Sequence, residues 1–390
     1  MNVLYLAEVY PEVRNNKWVD AMRAAGAEVL AVSFRTGTVG IWDGPAQDVT
    51  IKTRLVKNPF SPAKWFKVMR VLRQRQFVPT VVFVRDTFQA LVAWWIARAY
   101  RCELVVDVAD NFPEVASVLL GEQSIAGRLA AAVLNFVEGT AYRTADVVIV
   151  VAEASARLLS AKHGPRRGNA TLVIPNVPTE RARPQPTSGE RPGQGGVRGV
   201  YLGTYDQRIR DFATVLSGLR RYSETARVPV TVTVHTFEPG PLQEYLAALD
   251  PDYARYITVG GAMDNVTLVR RLGEYDFGLV PHVRSQATDY TVPNKLYDYL
   301  LAGLPVLASD NPSLLDVLAG YPYGVTYEGG NPDSFALVLG TLVDHLSDFH
   351  ETLRTEHPRL AGELSWEPAF AAAWGEITRR AGTPDKGNRS

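Results

Sequence analysis

PTVVFVRDTFQALVAWWIARAYRCELVVDVAD, residues 79–110, decides the fold. PTVVFV and CELVVDV are short, almost wholly apolar runs rich in valine, and TFQALVAWWIARAY between them has the length and apolar content of a packed helix. Strands apolar on both faces, separated by one helix, predict a βαβ unit in a parallel sheet. The same alternation runs through NVLYLAE, NNKWVDAMRAAG and AEVLAVSF before this stretch and ADVVIVV after it. It resumes beyond residue 197 as VRGVYLG, VPVTVTVH, YDFGLVPH, GLPVLASD and GVTYE, with helical sequence between. The predicted fold class is therefore α/β, with two doubly wound, Rossmann-like halves.

A chain of 390 residues, 46% apolar and 21% charged, fits two ordinary domains with substantial cores. VPTERARPQPTSGERPGQGGVRG has no apolar periodicity and reads as a linker. The expected division is 1–176 for the N-terminal domain, 177–197 for the linker, 198–362 for the C-terminal domain and 363–381 for a final helix. Cys102 is the single cysteine and no Cys/His cluster has zinc-ligand spacing, so a reducing compartment is expected and a structural metal is not. The start, MNVLYLAEVYPEV, reads as a first strand rather than a signal peptide, and no uninterrupted apolar run approaches the length of a membrane span. A cytoplasmic protein is expected.

Lysine and arginine total 41 against 41 aspartates and glutamates, yet the balance is uneven. Residues 1–180 hold 21 cations to 16 acids, leaving 20 to 25 for the rest. From Thr50 to Arg85 nine cations occur without one acid, which points to an anionic neighbour. Within that run SPAKWFKVMRVLRQRQ has Ser61 as a candidate N-cap, Pro62 at the first helical position and an apolar stripe of Trp65, Val68, Met69 and Leu72. The helix Lys64–Arg75 could lie on an anionic membrane surface or be an ordinary packed helix with a solvated basic face.

In open α/β sheets ligands bind beyond the carboxyl ends of the strands, which limits the candidates. In the C-terminal half these are Gly203, Thr204, Asp206 and Arg208, then His235, then His282, then the segment TDYTVPNKLYDYLLAGLP. Asn294 can cap a helix stopped by Gly303 and Pro305. Lys295 then sits in the first turn, where the helix dipole disfavours a cation. A bound diphosphate would satisfy both the ammonium and the free amides; the alternative is a solvated lysine. Asp298 could accept hydrogen bonds from ribose hydroxyls or simply favour the helix start. Gly203 would let a ligand approach the backbone, and Arg208 offers a fork for phosphate oxygens.

In the N-terminal half DVADNFPEVA places Asp107 and Asp110 three apart, followed by Asn111, and one acid could act as general base on an acceptor hydroxyl. The other reading has Asp110 capping a helix and Asp107 within the strand. Arg85 and Asp86 end a strand and could face the acceptor or form a loop ion pair. The absence of G-x-G-x-x-G after the first strand, of a P-loop and of a nucleophile elbow argues against dehydrogenase, kinase and hydrolase readings. Nothing suggests a nucleic-acid partner.

ADVVIVVAEASARLL, VIPNVP, GVYLGTYDQRIRDF, YDFGLVPH, VPNKLYDYLLAGLPVLASD and SWEPAFAAAW, in that order, resemble the GT-B glycosyltransferases over nearly the whole chain. The likeness is to the large bacterial polysaccharide and glycolipid group, with some to the glucuronosyltransferase of xanthan synthesis. It implies two Rossmann-like domains facing across a cleft, with the final helix crossing back to the N-terminal domain. It also implies a nucleotide-diphosphate sugar as co-substrate bound by the C-terminal domain, a saccharide or lipid-linked acceptor on the N-terminal side, and no cofactor or metal. Lys295 and Arg208 would hold the diphosphate. Retaining members carry two glutamates eight positions apart; here the second falls on Asp298 and the first on Tyr290, with Asp289 beside it. In an inverting reaction Asp110 or Asp107 would be the base; in a retaining one the donor phosphate could take the proton. The expected setting is cell-envelope or exopolysaccharide assembly, peripheral at the inner face of the cytoplasmic membrane. Rival readings are a GT-B-like sugar-nucleotide epimerase and a non-catalytic binding or scaffold protein of the same fold.

Overall fold

The computed structural model describes all residues except 11, 37–48, 52–58, 86, 110–111, 122–123, 167–168, 185–195, 227, 237, 250, 262–264 and 383–390. The chain divides into two compact units, Met1–Pro175 with Trp366–Ser390, and Asn176–Ser365. Most of the expected linker thus lies outside the described residues.

The first unit runs β1 (Asn2–Tyr10), α1 (Val13–Ala24), β2 (Glu28–Thr36), β3 (Val49–Thr50), α2 (Pro62–Gln74), β4 (Val81–Arg85), α3 (Ala90–Tyr100), β5 (Glu103–Val108), α4 (Phe112–Leu120), α5 (Ile125–Thr144), β6 (Val147–Val150), α6 (Glu153–His163) and β7 (Ala170–Val173). Its seven strands lie in the order β3-β2-β1-β4-β5-β6-β7, all parallel. Alternation along the strands sorts their side chains onto two faces. Leu4, Leu6, Val82, Val84, Leu104, Val106, Val148 and Val150 join Val68, Leu72, Ile96 and Val137 of the helices α2, α3 and α5 in one core.

Tyr5 and Phe83 alternate with these residues and stack on the opposite face, ring centroids 5.1 Å apart. There Trp18 of α1 meets Phe83 at 4.8 Å and Trp366 at 5.0 Å. Trp366 opens the last helix, Trp366–Ala381, which therefore packs on the N-terminal unit. Asp107 points into this face with no exposed surface. Arg14 grips it with two bonds, Nε to Oδ2 at 2.8 Å and Nη2 to Oδ1 at 2.9 Å, and Trp18 Nε1 donates to Oδ2 at 3.0 Å.

The second unit runs β8 (Val197–Leu202), α7 (Phe212–Thr225), β9 (Val230–His235), α8 (Pro239–Ala247), β10 (Ile257–Gly260), α9 (Asn265–Arg270), β11 (Phe277–Val280), α10 (Asn294–Leu301), β12 (Val306–Ser309), α11 (Pro312–Gly320), β13 (Gly324–Tyr327), α12 (Pro332–Asp344) and α13 (Leu346–Glu363); the final helix is α14. Its parallel sheet has the order β10-β9-β8-β11-β12-β13. Strand order reverses between β8 and β11, so the crevice expected of an open sheet opens where those two strands end.

The Arg14–Asp107 pair yields a first prediction. Asp107→Ala leaves a guanidinium buried without its counter-charge and should destabilise the N-terminal unit by roughly 3–5 kcal/mol in urea unfolding followed by tryptophan fluorescence. Replacing both partners, Arg14→Met with Asp107→Leu, should recover part of that loss; a double variant worse than the single one would contradict the assignment.

Candidate functional site

Gly203 follows β8 and His282 follows β11, so both stand at the switch point. Gly203 has φ +132°, a conformation that side chains rarely adopt. A Cβ there would come within 2.8 Å of Lys295 Nζ. Lys295 is placed by α10, whose seat is set by Tyr299: its hydroxyl accepts the Leu202 N–H at 3.0 Å, and its ring covers Gly278, where any Cβ would collide. The ammonium of Lys295 stands 3.9 Å from the centroid of the Tyr201 ring, and the residue as a whole is 9% exposed.

The helix start itself differs from the sequence expectation. Pro293 is the N-cap, Asn294 is the first helical residue, and no side chain caps the helix. A proline has no side-chain acceptor, so no side chain caps the first-turn amides; the Leu296 N–H donates to the Pro293 carbonyl at 3.1 Å. Asp298, one turn on and half-buried, pulls the Lys295 pKa upward. Burial and then repulsion from Arg210 prevail, pushing it well below the ordinary lysine value.

Arg210 is the residue that sequence reasoning missed. Its Nε donates to the Tyr201 hydroxyl at 3.0 Å, and its backbone bridges to His282. His282 is 1% exposed, and neither ring nitrogen has a hydrogen-bond partner among the described residues. Burial first, then repulsion from Arg210 and Lys295, holds its pKa well below the usual value and keeps the ring neutral. No ion pair forms to Lys295 or Arg210 among the described residues. Lys295, the Arg210 guanidinium and an imidazole with free nitrogens thus lie near one another beside a helix start that no side chain caps, an arrangement suited to an anion with several oxygens.

The other candidates are distributed differently. Arg208 turns to solvent, its side chain 51% exposed, and forks onto Asp206 of its own loop at 2.9 and 2.7 Å. The place expected for it beside Lys295 is taken by Arg210, because the chain bends through a turn between the two. Thr204 is exposed and its carbonyl accepts the Tyr201 hydroxyl at 2.8 Å. The backbone carbonyl of His235 holds the Gly203 N–H at 3.0 Å, whereas its ring bonds the Tyr275 hydroxyl at 2.8 Å on the side of β10. Tyr290 is half-buried in the turns before α10. Asp289 is committed: its Oδ1 accepts from Arg284 Nε at 3.0 Å and from Asn311 Nδ2 at 2.7 Å.

In the N-terminal unit Asp107 cannot serve as a base on an acceptor, since Arg14 and Trp18 take its oxygens and it has no exposed surface. Arg85 pairs with Glu12 at 3.2 Å. Its expected companion Asp86, and the candidates Asp110 and Asn111, lie outside the described residues.

The two parallel sheets and their order are those of the GT-B fold. Residues 11–177 match the model of the glycosyl transferase 4-like domain. Among solved structures the chain is similar to sucrose-phosphate synthase from Thermosynechococcus elongatus, at TM-score 0.72 and 14% identity over 97% of this chain and 99% of that one. It is also similar to Anabaena HepE in complex with UDP-glucose, at TM-score 0.69 and 13% identity over 97% and 100%. A glycosyltransferase from Rickettsia africae ESF-5 gives TM-score 0.68 and 11% identity over 98% and 99%. No curated protein sequence matches it.

A second prediction concerns protons. A bound diphosphate should restore the Lys295 ammonium, so titration with UDP at mildly alkaline pH should show net proton uptake in calorimetry across buffers of different ionisation enthalpy. Affinity should fall as pH rises from the lowered free-site value toward the ordinary lysine value, and Lys295→Met should abolish the uptake. Binding without proton exchange would show that this ammonium is not at the ligand.

Proposed function

We propose that this protein is a glycosyltransferase that moves a sugar from a nucleotide-diphosphate donor to a saccharide or lipid-linked acceptor, in cell-envelope or exopolysaccharide assembly. The observation that carries the reading is the convergence of Lys295, Arg210 and His282 at the uncapped start of α10, beside the switch point of the second sheet. Breaking the bond from the sugar C1 to the diphosphate oxygen leaves negative charge on the leaving group and positive character on the sugar. Lys295, Arg210 and the first-turn amides stabilise that charge, and His282 can donate a hydrogen bond from a ring nitrogen. The HepE complex with UDP-glucose and the family match of residues 11–177 support a nucleotide sugar as donor.

Deprotonation of the acceptor falls to Asp110 in an inverting course or to the donor phosphate in a retaining one, Asp107 being occupied by Arg14. Hexosyl transfer without a metal or other cofactor belongs to the same reading. So does peripheral contact with an anionic membrane, where a lipid-linked acceptor is met.

The test is donor turnover with and without acceptor extracts, followed by product analysis. Lys295→Ala and Arg210→Ala are each expected to lower kcat roughly 100- to 1,000-fold, while Arg208→Ala changes it little. An Arg208 effect as large as that of Arg210 would reverse the assignment of the two arginines. Donor consumed with no transfer product would instead indicate an epimerase, and no consumption with intact UDP binding a binding protein.

A further inference from the structure

We propose that the outer face of the helical layer α2, α3 and α5 docks on an anionic phospholipid surface, its aromatic and aliphatic side chains entering the headgroup region while Lys67, Arg70, Arg73 and Arg98 meet lipid phosphates. The inference deepens the membrane part of the reading above and is independent of the nucleotide site.

The sequence suggested one basic helix, and the structure changes both its composition and its extent. Lys64, counted there as part of the basic face, is fully buried: Nζ donates to Gln89 Oε1 at 3.1 Å and faces the Phe34 ring at 5.4 Å. With Lys64, Val68 and Leu72 turned inward, α2 presents Phe66, Lys67, Arg70 and Arg73 to solvent, Phe66 at 65% exposure. Packed beside it, α3 exposes Trp95 and Arg98. Trp65, Trp94, Trp95 and Arg98 line a shallow notch of about 320 Å³ between the two helices. Indole rings beside cations are the side chains that settle at a membrane–water boundary.

The third helix, α5, packs on α3 and carries Ile125, Leu129 and Phe136 at 81, 64 and 60% exposure, with exposed Ala132 between. These positions follow i, i+4, i+7, i+11, an apolar stripe of helical period facing away from the core that Leu134 and Val137 join. Water opposes such a stripe, whereas hydrocarbon rewards it.

Charge identifies the occupant. The exposed faces of α2, α3 and α5 carry Lys67, Arg70, Arg73, Arg98, Arg128 and Arg143, and the one acid in the three helices, Glu138, is 1% exposed and bonded to Lys162 and His163. A surface both cationic and apolar fits anionic lipid. A second copy of the chain would set cations against cations across a two-fold axis. Nucleic acid would leave Ile125 and Leu129 without a stacking partner. No helix among the described residues is long and apolar enough to cross a membrane, so the contact is peripheral.

The experiment is co-sedimentation of the full chain with vesicles of phosphatidylcholine alone and with added phosphatidylglycerol, at low and high salt, with UDP binding measured on the same preparation. Binding should require the anionic lipid and weaken with salt. Each cation removed should lower partitioning about fivefold, so Lys67→Gln, Arg70→Gln and Arg73→Gln together should lower it roughly a hundredfold. Phe66→Ala with Leu129→Ala should weaken binding at every salt concentration, and Trp95→Phe should reduce quenching by brominated acyl chains. Equal binding to neutral and anionic vesicles would overturn the proposal. So would absence of vesicle binding by protein that still binds UDP, including the case where the same face retains an RNA oligonucleotide or forms a dimer. Loss of UDP binding with vesicle binding intact would sink the nucleotide-site reading alone.

Discussion

A lysine held out of water with no ion pair among the described residues is the condition on which the C-terminal unit turns. Lys295 lies buried over Tyr201 with Arg210 close enough to repel it. Removing such a charge from water costs several kcal/mol unless it is paired or gives up its proton. The surrounding structure enforces the position all the same. Tyr299 over Gly278 fixes α10, positive φ at Gly203 clears space for the ammonium, and Pro293 leaves the helix start uncapped. Together they leave Lys295 buried without an ion pair among the described residues.

Two other buried cations show that the fold can satisfy such groups internally. Arg14 is 2% exposed and is met by Asp107 in a two-bond fork, with Trp18 completing the carboxylate. Lys64 is satisfied more economically, by one amide oxygen, one carbonyl and an aromatic face. The first ties α1 to β5 on the face where Trp366 packs; the second ties α2 to the turn before α3 on the other. Lys295 has no ion-pair partner among the described residues, and that contrast sets it apart from the two cations that serve the fold.

The N-terminal unit treats its two sheet faces differently. One is closed by α1 and α14 around Trp18, Phe83 and Trp366, an aromatic cluster sealed from solvent. The other is covered by α2, α3 and α5, which fill the core beneath and still expose Phe66, Trp95, Leu129 and Phe136. Helices built only to cover a sheet would be polar on that side.

Much of the architecture was legible in the residues alone, because the period of apolar positions is a local property. Continuous valine-rich runs and helical spacing specify strands and helices wherever they occur, and they disclosed two doubly wound sheets, the helix starting near Lys295 and the closing Trp366 helix. The partner of each charged side chain was not legible, since pairing depends on distances across the fold. Asp107 and Arg14 are 93 positions apart and in contact. Arg208 and Arg210 are two positions apart in a loop with no periodicity, yet one forks onto its own Asp206 and the other reaches Tyr201 beside Lys295. Sequence determined which elements form and that a cation would stand at a helix start. Only the tertiary structure decided which cations find a partner within the fold and which are left without an ion pair, because electrostatic energy depends on separation and burial in space rather than on order along the chain.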